Sequence, residues 1–121
     1  MTSLTRETAG SLTFLEGPPG LPLLNGADDV TILLEECFAV PTRSALLYAA
    51  NLPPGFFDVS SQQAGTFLQK LRHYGLRVAG VAPVDAVPMS HRFHELAAAE
   101  QRDGAFGVFD SRTAALAWLA A

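Results

Sequence analysis

Val30, Leu33, Leu34, Cys37 and Phe38 recur at the i, i+3, i+4, i+7, i+8 spacing of one helical face. Asp28 or Asp29 stands ready to cap the start of that helix, and Pro41 follows its end. Ala64, Phe67, Leu68 and Leu71 form the apolar face of a second helix, and Gly75 follows where a left-handed C-cap residue belongs. Ser60 with Gln63 fits a capping box at its start, with Ser61 as the competing cap. A third helix turns Phe93, Leu96 and Ala97 inward between Ser90 as cap and Gly104 as stop. A terminal helix starts at Asp110 or Ser111 and carries Trp118 as a core anchor.

Between these helices lie three short, uninterrupted apolar runs, "SALLYAA", "LRVAGVA" and "AFGVF", each bounded by turn residues and each read as a buried strand. Upstream, "SLTFLE" and "LPLLN" flank "GPPG", which predicts a loose hairpin or two short edge strands. Pro22 lacks the N–H that a central strand requires. Residues 1–10 are polar and aperiodic and predict a flexible N-terminus, leaving 11–121 as a single domain. Strict alternation of helix and apolar strand predicts an α/β fold, with about four helices on a mostly parallel or mixed sheet of about five strands. In such sheets, ligands and partners meet the loops at the carboxyl ends of the strands. The segment 51–61, "NLPPGFFDVSS", is the longest of those loops.

Composition narrows the function classes. Of 121 residues 49% are hydrophobic, which provides for a core. Twelve Asp and Glu against eight Lys and Arg give a net charge of −4, without the basic face that nucleic acid requires. The single Cys37 cannot form an internal disulfide, no apolar run reaches the ~20 residues of a membrane span, and the N-terminus has no signal-like apolar segment. A cytoplasmic protein with no membrane partner is the expectation. On the apolar stripe of its helix, Cys37 reads as a packing residue rather than a reactive thiol.

Phosphate-loop, dinucleotide and nucleophile-elbow motifs are absent. His91, His94 and Glu95 lie close together on the third helix, but no third metal ligand accompanies the two histidines, so neither a metal nor another cofactor is expected. His73 ends the second helix, where it suits the helix dipole. Pro53-Pro54 stiffens the long loop and either presents Phe56 and Phe57 to a partner or folds both rings back onto the core. One serine of the pair Ser60-Ser61 suffices as a helix cap. The other is free in the positive field of a helix start, which suits a phosphate.

Asn51, Leu52, Phe56, Phe57, Asp58, Ala64, Gly65, Leu68, Gln69, Lys70 and Tyr74 match the pattern of the bacterial family called domain of unknown function 4180, which the chain resembles over most of its length. The chain departs from that pattern at Ala49-Ala50, where the family carries an acidic residue, and at Gln62 and Thr66 around the Ala-Gly pair. The family implies no activity. A second resemblance is to the STAS domain of anti-sigma-factor antagonists, carried by a strand leading into Phe56-Phe57-Asp58-Val59-Ser60-Ser61 and by the closing strand and helix. It implies a STAS-like fold and a non-enzymatic regulatory module, with Ser61, and secondarily Ser60, as candidate phosphorylation sites. Phe56, Phe57 and Asp58 are then the candidate partner-binding residues, facing an unidentified regulatory protein. One alternative is a small-ligand-binding domain with an apolar pocket near Phe56, Phe57 and Tyr74. Another is an enzyme using His91, His94 or Asp58. The N-terminal hairpin, as a sheet edge, also offers a surface for a homodimer.

Overall fold

The computed structural model describes residues 4–58, 62–82 and 89–121. Strand β1 (Thr5–Ala9) pairs antiparallel with β2 (Leu12–Glu16). A 3-10 turn at Ala27–Asp29 leads into α1 (Val30–Ala39). Strand β3 (Ser44–Tyr48) is followed by a second 3-10 turn, Ala49–Asn51, and then by α2 (Gln63–Tyr74). The chain continues through β4 (Arg77–Val81), α3 (His91–Asp103), β5 (Phe106–Phe109) and α4 (Arg112–Ala120). The five strands form one sheet in the order β1-β2-β3-β4-β5, and β2 to β5 are parallel. Among the described residues the protein is thus an α/β domain with a mixed sheet and four helices, as the alternation predicts.

Strand side chains point to opposite faces with a period of two. Leu15, Ala45, Leu47, Val78 and Phe106 face the core shared with α1, α2 and α3. Phe14, Leu46, Ala79 and Val81 face the smaller core under Ala115 and Leu119 of α4. Three helices therefore cover one face of the sheet and one helix covers the other. Both sides of β3 and β4 are buried, which is why these strands read as continuous apolar runs.

Three expectations change. The hairpin lies one run earlier than the sequence suggests: residues 5–9, read as flexible, are a strand, and the turn is Gly10-Ser11. Gly10 has φ +61, a conformation that suits glycine in a tight hairpin turn. The run after "GPPG" is not a strand but an ordered loop that buries Leu24. Phe38 is 60% exposed. Leu34, one turn earlier, already sits at the edge of the buried stripe, and Phe38 continues that row into solvent. Cys37 is fully buried, and burial, with Glu36 adding a smaller like-charge effect, pushes its thiol up to about 11. Among the described residues, no helix is long and apolar enough to cross a membrane.

Candidate functional site

At the carboxyl end of β3 the chain turns sharply through Ala49–Asn51, and Asn51 is fully buried. A buried amide must be hydrogen-bonded or it destabilises the fold. Asn51 Oδ1 accepts from the Tyr48 N–H at 2.7 Å, and its Nδ2 donates to the carbonyls of Pro18 and Leu21, both at 2.8 Å. Its own carbonyl accepts from the Leu24 N–H at 2.9 Å, and Gly17 N–H donates to the Leu46 carbonyl at 2.9 Å. One side chain therefore fastens the Gly-Pro-Pro-Gly loop to the end of β3. A Cβ on Gly17 would overlap the Asn51 amide, so the glycine is required by close approach.

Beyond Asn51, two tight turns follow in succession. The Phe56 N–H donates to the Pro53 carbonyl and the Asp58 N–H to the Gly55 carbonyl, both at 3.0 Å, with Gly55 at φ +76. They swing the Phe56 ring inward, to 1% exposure. It meets Phe57, Phe67 and Phe93 edge-on at centroid distances of 5.5, 5.3 and 5.9 Å, and Phe106 in a tilted contact at 5.7 Å. Edge-to-face pairs at these distances are favourable beyond the area they bury. Phe57 is half-buried against Phe93 at 5.2 Å. Asp58 is exposed.

These turns and the fastened loop bound a cleft of about 690 Å³ at the carboxyl end of the sheet. Pro22 and Leu24 stand on one side, Pro53, Pro54 and Phe57 on the other, and Ala49, Ala50 and Leu52 lie between them along the chain. Asn25 and Asp58 are the polar residues among the described residues that line it. No lysine, arginine or histidine is among the described residues that line it.

Some candidate residues come together here and others do not. Phe56, Phe57 and Asp58 are neighbours in the cleft wall, but Phe56 belongs to the core and its ring offers no free face to a partner. Ser60 and Ser61 lie outside the described residues. Helix α2 starts at Gln63 with Gln62 in the cap position at φ +65, so Gln63 is the first helical residue rather than the fourth position of a box begun at Ser60. Tyr74 is not in the cleft. It ends α2, twelve residues or about 17 Å along a helix that runs away from it. His91 pairs with Glu95 at 2.7 Å, both exposed, and the cleft takes in neither His91 nor His94. Among the described residues, no group of three His, Cys, Asp or Glu could hold a metal ion.

A charged cluster on the other side of the same rim has no local signal in the sequence. Arg112, at the start of α4, grips Glu16 with two hydrogen bonds, Nε to Oε2 at 3.0 Å and Nη2 to Oε1 at 2.9 Å. Tyr48 donates its hydroxyl to Glu16 Oε2 at 2.5 Å. The Arg112 bonds hold the Glu16 carboxyl below the usual carboxylate range, and burial and then the Glu16 contact raise the Tyr48 phenol. Tyr48 immediately precedes the turn that lines the cleft, so cluster and cleft share one support.

No match is found among curated proteins or among solved structures. A family model does match, across residues 13–119, from the second residue of β2 to the penultimate residue of α4. The chain belongs to the family described as domain of unknown function DUF4180.

Proposed function

We propose that this protein is a small-ligand-binding domain that takes a mainly apolar molecule into the cleft between the 17–25 and 49–58 loops. The observation that carries this reading is the cleft itself: about 690 Å³, walled by proline, leucine and phenylalanine. Small-molecule sites typically occupy about 300–1,000 Å³, are mostly apolar, and carry a few placed polar groups. The site stands at the carboxyl end of parallel strands, where α/β folds bind ligands. Its walls are pre-organised, one fastened by Asn51 and the other stiffened by Pro53-Pro54, which lowers the entropy cost of binding. Burial of Phe56 favours this reading over a flat partner surface centred on the two phenylalanines.

The test is a fragment screen by two-dimensional NMR. Apolar fragments are expected to shift the amides of residues 22–25 and 49–58 and to raise the melting temperature with concentration. Ala50 is exposed in the cleft lining, so Ala50→Phe should fill the space and abolish the shifts while leaving the fold intact. A library that shifts no cleft residue, or binding that survives Ala50→Phe unchanged, overturns the reading.

A further inference from the structure

Resting on that reading, we infer that Glu16, Tyr48 and Arg112 are positioning residues for the cleft: they join the two strands from which its walls spring, so that what occupies the cleft is felt at the start of α4, on the opposite face of the sheet. Three observations carry this. The first is where the walls begin. Glu16 ends β2 and Gly17 opens the 17–25 loop, while Tyr48 ends β3 and Ala49 opens the 49–58 loop. The Tyr48 hydroxyl, donating to Glu16 Oε2 at 2.5 Å, ties these two roots together. The second is that the same tyrosine reaches the cleft through its backbone. Its N–H donates to Asn51 Oδ1 at 2.7 Å, and Asn51 Nδ2 donates to the Pro18 and Leu21 carbonyls of the facing loop, both at 2.8 Å. The bonds close a ring that runs from Glu16 along the chain to Pro18, across to Asn51, back to Tyr48 and so to Glu16. The third is that the ring crosses the sheet. Leu24, Leu52 and Phe56 in the cleft belong to the core under α1, α2 and α3, whereas Tyr48 packs against the core under α4. On that face Arg112 grips both oxygens of Glu16, and its guanidinium lies 5.9 Å from the centre of the Phe14 ring, which fixes where the carboxylate sits.

One member of a closed ring does not move alone. A molecule that selects one spacing of the walls shifts Asn51 against Pro18, hence Tyr48 against Glu16, and biases the Arg112 grip. Linkage makes the effect reciprocal, so a change in the cluster alters affinity in the cleft. Arg112 is nearly half exposed and its pairing is screened, so the effect is modest, about two- to fivefold in affinity.

The test is an NMR titration with phenylbutanol, a neutral probe that does not act on the cluster through long-range charge. In the unaltered protein it is expected to shift the amides of 22–25 and 49–58 and also the Arg112 Nε–H. The Arg77 Nε–H, bonded to the Gly104 carbonyl at the other end of the strands, should stay in place. Tyr48→Phe removes the hydroxyl, so it should weaken binding about two- to fivefold and silence the Arg112 response. Glu16→Ala should weaken binding similarly, and Glu16→Gln, which keeps an oxygen for the Tyr48 hydroxyl, should recover part of the affinity. A loss of stability alone lowers the folded fraction without changing the dissociation constant of the folded protein, so it does not mimic this pattern. One comparison needs no probe: Ala50→Phe, which fills the cleft, should itself move the Arg112 Nε–H. If phenylbutanol shifts the cleft amides but neither the Arg112 signal nor the affinity of Tyr48→Phe changes, the inference fails and the cleft reading stands. An Arg112 response that persists in Tyr48→Phe overturns the role of the hydroxyl. If phenylbutanol shifts no cleft amide, the cleft reading fails, and Ala50→Phe decides the coupling: an unmoved Arg112 Nε–H overturns it as well, and a moved one supports it.

Discussion

At the amino ends of the parallel strands, helix termini are tied down by charge. Arg77, the first residue of β4, donates from Nε to the Gly104 carbonyl at 3.0 Å, and from Nη1 and Nη2 to the Leu119 and Trp118 carbonyls at 3.1 Å. It thereby satisfies the orphan carbonyls that end α4, and its guanidinium lies 4.5 Å from the centre of the Trp118 ring. Arg72 of α2 pairs with the buried Glu100 of α3 at 2.5 Å. At the carboxyl ends, on the face of the three helices, the chain uses proline turns, one buried amide and stacked phenylalanines, and leaves a cleft open. The contrast separates two tasks. Ion pairs lock helix ends together at the amino ends, and on the proposed reading an apolar, pre-formed wall keeps a space available for a ligand at the carboxyl ends.

The largest expected effect breaks the carboxyl end. Phe56 sits at the centre of the ring cluster, with contacts to Phe57, Phe67, Phe93 and Phe106. Phe56→Ala should cost about 3–5 kcal/mol, enough to threaten a domain of this size. Urea denaturation measures it. A loss under about 1 kcal/mol would mean that the 53–58 turns hold their shape without the ring.

The next effect probes the amino end. Glu100 is 3% exposed, and its Oε2 has no hydrogen-bond partner among the described residues, so Arg72 is its main compensation. Arg72→Ala leaves a buried carboxylate uncompensated, but the arginine side chain is half exposed, so about 2 kcal/mol is expected rather than the full cost of a buried pair. Adding Glu100→Gln should recover part of that loss. Equal stabilities of the single and double variants would show that the charge on Glu100 is not what Arg72 offsets.

Comparable in size is Gly17→Ala, expected to cost about 1–3 kcal/mol by forcing the Asn51 amide from its three bonds. It also distinguishes the two ends, because it should perturb cleft amides and leave the NMR signals of Arg77 and Glu100 in place. Perturbation spread evenly over both ends would mean that the ends are not independent.

What could be read from the sequence follows the range of the signal. Helices α1 to α4 and strands β3 to β5 announce themselves through local period and caps. Ser90 and Ser111 cap α3 and α4, accepting from Phe93 and Ala114 N–H, and Gly75 and Gly104 close α2 and α3 in the left-handed conformation. Strand β1 was hidden because its "TRETA" is short, polar and at the sheet edge, so burial never shaped it. The position of the 51–58 loop could be inferred, but not that Phe56 points inward, because two prolines and two adjacent rings are equally consistent with display and burial. Tyr74 lies away from the pocket because α2 carries its two ends to opposite ends of the sheet, a separation that distance along the chain does not reveal. The role of Asn51 and the pairing of Glu16 with Arg112 depend on partners about 30 and 96 positions away, which no local pattern encodes.

The smallest expected effect tests whether the Glu16–Arg112 tie at the carboxyl rim resembles the ties at the amino end. Glu16 is held by Arg112 and receives the Tyr48 hydroxyl, and its carboxyl titrates below the ordinary value of 4.5. A group whose folded value is depressed contributes stability above its unfolded value and loses it as the pH falls through the folded one. The Glu16 contribution should therefore be complete at neutral pH and fade below about 4.5. Arg112 is nearly half exposed, so solvent screens the pair and the whole contribution is of order 1 kcal/mol or less. Glu16→Gln keeps the shape and removes the charge. The melting-temperature difference between wild type and this variant should be a few degrees at neutral pH and should close in acid, where both side chains are neutral. Other carboxylates cancel in that difference because both proteins carry them. A gap that stays constant into acid would mean that the cluster holds α4 to β2 by hydrogen-bond geometry alone. This tie would then lack the charge-based locking that marks the other end of the strands.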